Sequence, residues 1–273
     1  MAGKLGLVAG GGALPRRVIE RCRAERRDVF VVALKGHADP AAVRDVPHTW
    51  IRLGAPGRGL RALRAAGCSD LVLAGPVRRP ALGELRPDWT AMRFFARLGR
   101  RAMGDDGLLR AVIGALEGEG FRVHGLHEIL GDILAPAGVL GMHVPDDAAH
   151  RDIARARDVA AALGRVDVGQ AAVVQQGLVL GVEAIEGTDA LIRRCAELRR
   201  AGPGGVLVKQ PKPDQEARAD LPAIGPATLS RAAEAGLRGV AVAAGATVVV
   251  DYEATVAEAD RCGLFLYGVA APS

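Results

Sequence analysis

The apolar residues of this chain follow two different periods in turn. In the first half, short runs rich in Val, Ile and Leu alternate with segments whose apolar positions recur every three or four residues. That is the pattern of parallel strands, each followed by a covering helix. It predicts strands over 4–9, 28–34, 49–53, 70–74 and 121–127, and helices over 14–27, 59–66, 89–103 and 108–119. Between Leu134 and Asp147 the helical period lapses and Pro136, Gly138, Gly141 and Pro145 crowd together, so a linker is predicted there. Beyond it come a helix over 149–163 and a hairpin of 171–174 with 178–184 across Gln175-Gln176-Gly177. A helix follows over 188–200, a strand over 205–209 and a helix over 226–235, then strands over 240–243 and 248–250, a helix over 253–261 and a strand over 264–269. The fold class expected is α/β in two domains, a Rossmann-like parallel sheet over 1–135 and a second α/β domain over 136–273.

Composition narrows the function. With 49% hydrophobic and 25% charged residues among 273, the chain has the material for a core and none of the polarity of a disordered protein. No apolar run approaches the ~18 residues of a membrane span, and Gly10-Gly11-Gly12 interrupts the N-terminal apolar stretch before a signal-peptide core could form. A cytoplasmic protein is expected. Cys22, Cys68, Cys195 and Cys262 stand apart without a CxxC spacing, as reduced thiols do. Two Trp, two Tyr and five Phe leave little for base stacking, so nucleic acid is not the expected partner of the +5 charge. Arginine has replaced lysine almost everywhere. Of the four lysines, Lys4, Lys35, Lys209 and Lys212, the last two fall in one short stretch, where a compact ammonium is a chemical choice.

Three segments carry candidate chemistry. Gly10-Gly11-Gly12-Ala13-Leu14-Pro15 lies between the first strand and the first helix, where it forms either a phosphate-binding loop through Gly11, Gly12 and Ala13 or a tight turn. Pro15 and the non-acidic Leu34-Lys35-Gly36 depart from the dinucleotide fingerprint, which argues against NAD. Gly75, closing LVLAG, is expected at the same carboxyl edge. The second segment, 208–222, crowds Lys209, Lys212, Arg218, Asp214, Glu216 and Asp220 into a proline-stiffened loop leaving a strand. Carboxylates suit Mg²⁺ and the cations suit phosphate, the components of phosphoryl chemistry. Leu221-Pro222 restricts the backbone just after Asp220, which makes Asp220 the first choice for metal ligand or water-orienting base; the alternative is an ion pair with Arg218. Asp214 and Glu216 rank as supporting ligands. The third, 181–189, turns from strand to helix at Thr188 and Asp189, where a cap or a phosphate or sugar contact would both fit.

Other groupings carry less. Asp105 and Asp106 precede a helix and are second-rank metal candidates. His124 and His127, if both on one strand, face opposite ways and make a poor ion site. No GxSxG motif supports a serine nucleophile.

Taken together, GLVAGGGALP, AGPVRRPALGELRPD, GDDGLLR, EGFRVHGLHEIL, DVGQAAVVQQGLVLGVEAIEGTD, GGVLVKQPKPDQEARADLPAIGP and AGLRGVAVAAG, in this order across nearly the whole chain, resemble the LpxI type of UDP-2,3-diacylglucosamine pyrophosphatase. Ala223 and Glu216 are small departures from its pattern. The resemblance implies a two-domain enzyme of lipid A biosynthesis with a central cleft. It would hydrolyse UDP-2,3-diacylglucosamine to UMP and 2,3-diacylglucosamine 1-phosphate with Mg²⁺ or another divalent cation, in peripheral contact with the inner membrane surface. On this reading Asp220 and Lys209 are catalytic, and Asp220, Asp214 and Glu216 hold the metal. Gly11, Gly12, Ala13 and Gly75 bind substrate with Thr188, Asp189, Lys212 and Arg218, joined by Gln176 in the hairpin turn and Thr228 in a helix start. A nucleotide-sugar transferase or oxidoreductase, or a non-catalytic lipid-sugar carrier, are the alternatives.

Overall fold

The computed structural model describes residues 3–78, 88–89, 91–92, 105–131, 133–213, 215–218 and 221–271. Two compact units emerge, Met1–Gly131 with Glu216–Asp220, and Asp132–Gln215 with Leu221–Ser273.

The first unit runs β1 (Leu5–Ala9), α1 (Leu14–Ala24), β2 (Val29–Leu34), α2 (Pro40–Val43), β3 (His48–Ile51), α3 (Pro56–Ala65), β4 (Asp70–Ala74), α4 (Asp105–Gly118), β5 (Arg122–His124) and α5 (Leu126–Leu130). Its strands form one parallel sheet in the order β3-β2-β1-β4-β5. Strand order reverses between β1 and β4, where Ala9 lies beside Ala74, so the carboxyl ends of these two strands mark the crevice in which such sheets bind ligands. Val32, Leu63, Leu71, Ile113, Phe121 and Val123 fill one side of this sheet. Fully burying side chains of this kind stabilises by about 1.5–3 kcal/mol each, measured against leaving them in water. The helix expected over 89–103 falls largely outside the described residues. The strand expected over 121–127 stops at His124. Gly125 then opens the short α5, its amide donating to Glu128 Oε1 at 2.8 Å, so His127 is helical.

The second unit contains β6 (Gly138–Val139), α6 (Asp147–Arg165), β7 (Ala171–Gln175), β8 (Leu178–Val182), α7 (Thr188–Glu197), β9 (Val206–Lys209), β10 (Ala223–Ile224), α8 (Pro226–Glu234), β11 (Gly239–Ala243), β12 (Val248–Val249), α9 (Tyr252–Arg261) and β13 (Phe265–Val269). A six-stranded sheet has the order β6-β13-β11-β9-β7-β8, parallel through β13, β11 and β9 and antiparallel elsewhere, and β10 pairs with β12 beside it. Strict alternation sorts the core. Leu207 of β9 and Val173 of β7 face Leu191, Leu229 and Leu266, while Val206, Val208 and Val174 face Ile153, Ala156 and Ala160 of α6. The small residues Ala149, Ala156, Ala160 and Gly164 make the buried stripe of α6 and let it lie close on the strands. The fold is therefore two-domain α/β.

Candidate active site

At the switch point of the first sheet, the glycine loop is held by the segment that follows β4. Gly10 N donates to Ala74 O at 2.8 Å and Gly11 N donates to Pro76 O at 2.9 Å. Gly75 has φ +91°, and a Cβ placed on it would stand 2.1 Å from Gly11 O. Two expectations change here. The Gly11 amide is spent on Pro76 and does not face a phosphate, and Gly75 serves the crossing of two loops, which only a residue without Cβ permits. What the loop does present is the start of α1. Gly12 (φ +71°) turns the chain, Ala13 is an N-cap without side-chain capping, and Pro15 occupies the first turn. The first-turn amides there carry the partial positive charge that favours an anion. His37, which the sequence did not single out, borders the same loop, its Nδ1 lying 3.3 Å from Arg78 N. Only pairing of β2 beside β1 brings it there.

In the second unit the carboxyl end of β9 organises the site. Lys209, on the same strand face as Leu207, is only 8% exposed and donates from Nζ to Ala223 O of β10 at 3.0 Å. Lysine is seldom buried without a chemical reason. The β7 register places Ala171 opposite Lys209, and β8 ends beside the same edge. The turn after β8 therefore lies at this edge too. Its Glu183 is buried, accepting from Gln170 N at 3.1 Å and from Thr188 Oγ1 at 2.5 Å. Thr188 thus directs its proton to Glu183, and the N-cap of α7 is Gly187. Asp189 pairs with Arg231 of α8 at 3.2 Å, a half-exposed contact between two helices. Thr228 sits in the first turn of α8, where its Oγ1 accepts from Gly225 N at 3.3 Å.

The two lysines of the KQPKP stretch part company. Gln210 N donates to Gln170 O and its side chain donates to Arg157 O of α6, both at 3.0 Å. This lays the following residues along the C-terminal end of that helix. A Cβ on Gly164 would meet Pro213 and Lys212, and Lys212 Nζ is 2.5 Å from Asp167 Oδ1. Lys209 turns toward β10 and Lys212 toward α6, so the structure does not join them in one phosphate clamp.

Gln176 is a further correction. It occupies the β7–β8 turn with φ +52°, its amide donates to Asp152 Oδ2 at 3.0 Å, and its side chain donates to Ala201 O at 3.3 Å. Val174 pairs with Val206, so this turn lies at the amino end of β9, five residues and about 17 Å of strand from the Lys209 edge.

Arg218 and Glu216 fold with the first unit. Arg218 donates Nε to Glu216 Oε1 at 2.9 Å, Nη2 to Glu216 Oε2 at 3.0 Å and Nη1 to Glu117 Oε1 of α4 at 2.5 Å. Hydrogen bonds from Arg218 hold the Glu216 carboxyl below its ordinary range, and those from Glu216 raise the guanidinium in turn. Glu216 has both oxygens on an arginine, which is poor chemistry for a metal ligand, and Arg218 has carboxylates on three nitrogens where a substrate phosphate was expected. Asp214 and Asp220 lie outside the described residues, as do the side chains of Asp105 and Asp106. Among the described residues no three His, Cys, Asp or Glu side chains converge as a metal site.

These features describe a two-domain α/β protein with a glycine loop at the switch point of one sheet and a buried lysine at the strand ends of the other. The LpxI N-terminal domain family matches residues 4–133 and the LpxI C-terminal domain family residues 136–267. The chain is also 48% identical, over 97% of its own length and 97% of the relative's, to UDP-2,3-diacylglucosamine pyrophosphatase LpxI of Caulobacter vibrioides. It belongs to the LpxI family.

Proposed function

We propose that this chain hydrolyses the diphosphate of UDP-2,3-diacylglucosamine, releasing UMP and 2,3-diacylglucosamine 1-phosphate. The observation that carries the reading is similarity to a pyrophosphatase of that name at 48% identity along both units. The buried ammonium of Lys209 at a strand edge supports it. In a site of low dielectric such a charge stabilises the negative charge of a phosphoryl group more than it would in water. In the reaction a water oxygen bonds to the phosphorus beside the glucosamine. The bond from that phosphorus to the bridging oxygen breaks, and the bridging oxygen leaves with UMP. The water's protons pass to solvent and products.

A divalent cation belongs to this reading because it would neutralise diphosphate charge. Glu216 is committed to Arg218 and does not fit one, and Asp220 with Asp214, both outside the described residues, are the ligands this reading proposes. Peripheral membrane contact also belongs to it. Among the described residues no helix is long and apolar enough to cross a membrane. Ile185 is fully exposed, and Val166 and Val168 are exposed on the neighbouring loop, all toward the edge that holds Lys209. That placement suits a protein whose substrate carries acyl chains.

Purified protein incubated with UDP-2,3-diacylglucosamine and Mg²⁺ should release UMP, and its absence would overturn the reading. In ¹⁸O-water the label should enter the lipid phosphate. Label in UMP would move the attack to the other phosphorus, and full activity after exhaustive EDTA treatment would remove the metal.

A further inference from the structure

The first sheet gathers cations at its carboxyl edge. Lys35 follows β2, Arg52 follows β3, Arg58 lies in the first turn of α3 and Arg78 stands shortly after β4, and all four are exposed. Backbone bonds hold these loops together. Lys35 N donates to Ile51 O at 2.9 Å, Arg78 N donates to His37 Nδ1 at 3.3 Å, and Asp88 N donates to Gly54 O at 2.8 Å. The carboxylates at this edge are turned onto amides. Asp39 accepts from Ala41 N at 2.8 Å, and Asp88 accepts from Gly57 N at 3.0 Å and from Ala91 N at 2.8 Å. Among the described residues no carboxylate pairs with any of the four cations, so their charge stands toward solvent.

An apolar group shares the edge. Asp88 caps the turn that carries Trp89, which is 71% exposed, with Met92 at 48% and Val77 at 40%. Trp89 and Met92 are three positions apart, the spacing of helical neighbours. Trp50, the other tryptophan, is half-buried in β3. Groups that grip a small ligand converge in a concave pocket. These cations instead end long stems in water beside an uncovered indole. That combination fits an extended surface that is anionic outside and apolar within, because lysine and arginine are drawn to lipid phosphates and tryptophan settles at the level of the headgroups. Stable attachment takes two such signals together, and both are present here.

We propose that this edge docks on a bilayer containing anionic phospholipid, with Trp89 entering the headgroup region and Lys35, Arg52, Arg58 and Arg78 meeting its phosphates. The proposal rests on the hydrolase reading for its purpose, since the substrate of that reading carries acyl chains, and it adds the first unit to the membrane contact.

The test uses the full chain and vesicles that hold no substrate, so it is read apart from UMP release. The protein should sediment with vesicles of phosphatidylcholine and phosphatidylglycerol, much less with phosphatidylcholine alone, and 0.5 M salt should release most of it. Each cation near an anionic surface raises binding about fivefold, so Arg52→Ser with Arg58→Ser should weaken it roughly tenfold to thirtyfold. Trp89→Ser should weaken it about tenfold. Lipids brominated in the upper acyl chain should quench emission of the parent and leave that of Trp89→Phe nearly unchanged. Absence of binding to the anionic vesicles would overturn the proposal, as would undiminished binding by the arginine variant. Binding lost in Ile185→Ser but kept in Trp89→Ser would move the contact to the second unit and overturn it too. If UMP shifts Trp89 emission and vesicles do not, the edge belongs to the nucleotide and the proposal falls. A protein that docks and releases no UMP loses the hydrolase reading alone; one that releases UMP and does not dock loses only this proposal.

Discussion

Replacing Lys209 by methionine separates a catalytic ammonium from a structural one. The side chain is 8% exposed and its Nζ donates to Ala223 O at 3.0 Å, so the substitution keeps most of the packing and deletes a buried charge with its polar interactions, the bond to Ala223 among them. A hydrogen bond to a charged group contributes about 1.5–3 kcal/mol. Relief from burying an ammonium acts in the opposite direction by a comparable or larger amount. The two nearly offset, and Lys209→Met should fold with a stability within about 2 kcal/mol of the parent, seen as a small shift in urea midpoint. Turnover should respond differently. Removing a positive charge preorganised for the phosphoryl group should cost about 10²–10³ in kcat, or roughly 2.7–4 kcal/mol of barrier. UMP release measured at saturating substrate, alongside urea melts of both proteins, gives the two numbers. A variant that is more stable than the parent and turns over at the parental rate would refute the argument and leave Lys209 as a β9–β10 tie.

Three further outcomes are expected. Gly75→Ala places a Cβ 2.1 Å from Gly11 O at φ +91°, and should cost about 3 kcal/mol in urea melts, whereas Gly36→Ala, at φ +79° with nothing within 4 Å, should cost about 1 kcal/mol; equal costs would mean the loops do not cross as described. Burial pushes the Asp70 carboxyl up, but the Ser69 hydroxyl, His124 and Arg27 outweigh it and hold it below its ordinary value. A carboxyl depressed in the folded state stabilises above its unfolded pKa and loses that contribution as pH falls through the folded one. Melting temperature should therefore fall on acidification below about pH 4, and Asp70→Asn should flatten that decline; parallel curves would show that Asp70 contributes nothing to it. Asp220→Ala should melt normally and lose 10² or more in kcat, whereas near-normal turnover with a slightly lowered melting temperature would reduce Asp220 to an ion-pair partner of Arg218.

The sheets were legible in the sequence because each strand and helix carries its own period. Val206-Leu207-Val208 is a short apolar run after Gly204-Gly205, and α6 shows its small-residue stripe at helical spacing, before any contact between elements is known. Short pieces without enough residues to display a period were not legible. Neither β6 nor β10 exceeds two residues, and each is a strand only through its pairing, with β13 and with β12. The α5 helix was likewise hidden inside what reads as a strand, since a glycine and a reaching Glu128 decide it.

The chemistry divided along the same line. Glycines between a strand and a helix, a rare lysine closing an apolar strand and a carboxylate-rich loop declare themselves by residue type and local order. Which atoms of those residues remain available is a tertiary decision. The Gly11 amide went to Pro76, Lys212 to Asp167, Thr188 to Glu183 and the Gln176 amide to Asp152. Glu216 and Arg218 turned to each other and to Glu117, a residue of a helix a hundred positions earlier. Sequence states what a side chain could bind; when a donor leaves water, the nearest acceptor that folding delivers takes it, and that acceptor is set by strand register and by which unit the segment joins.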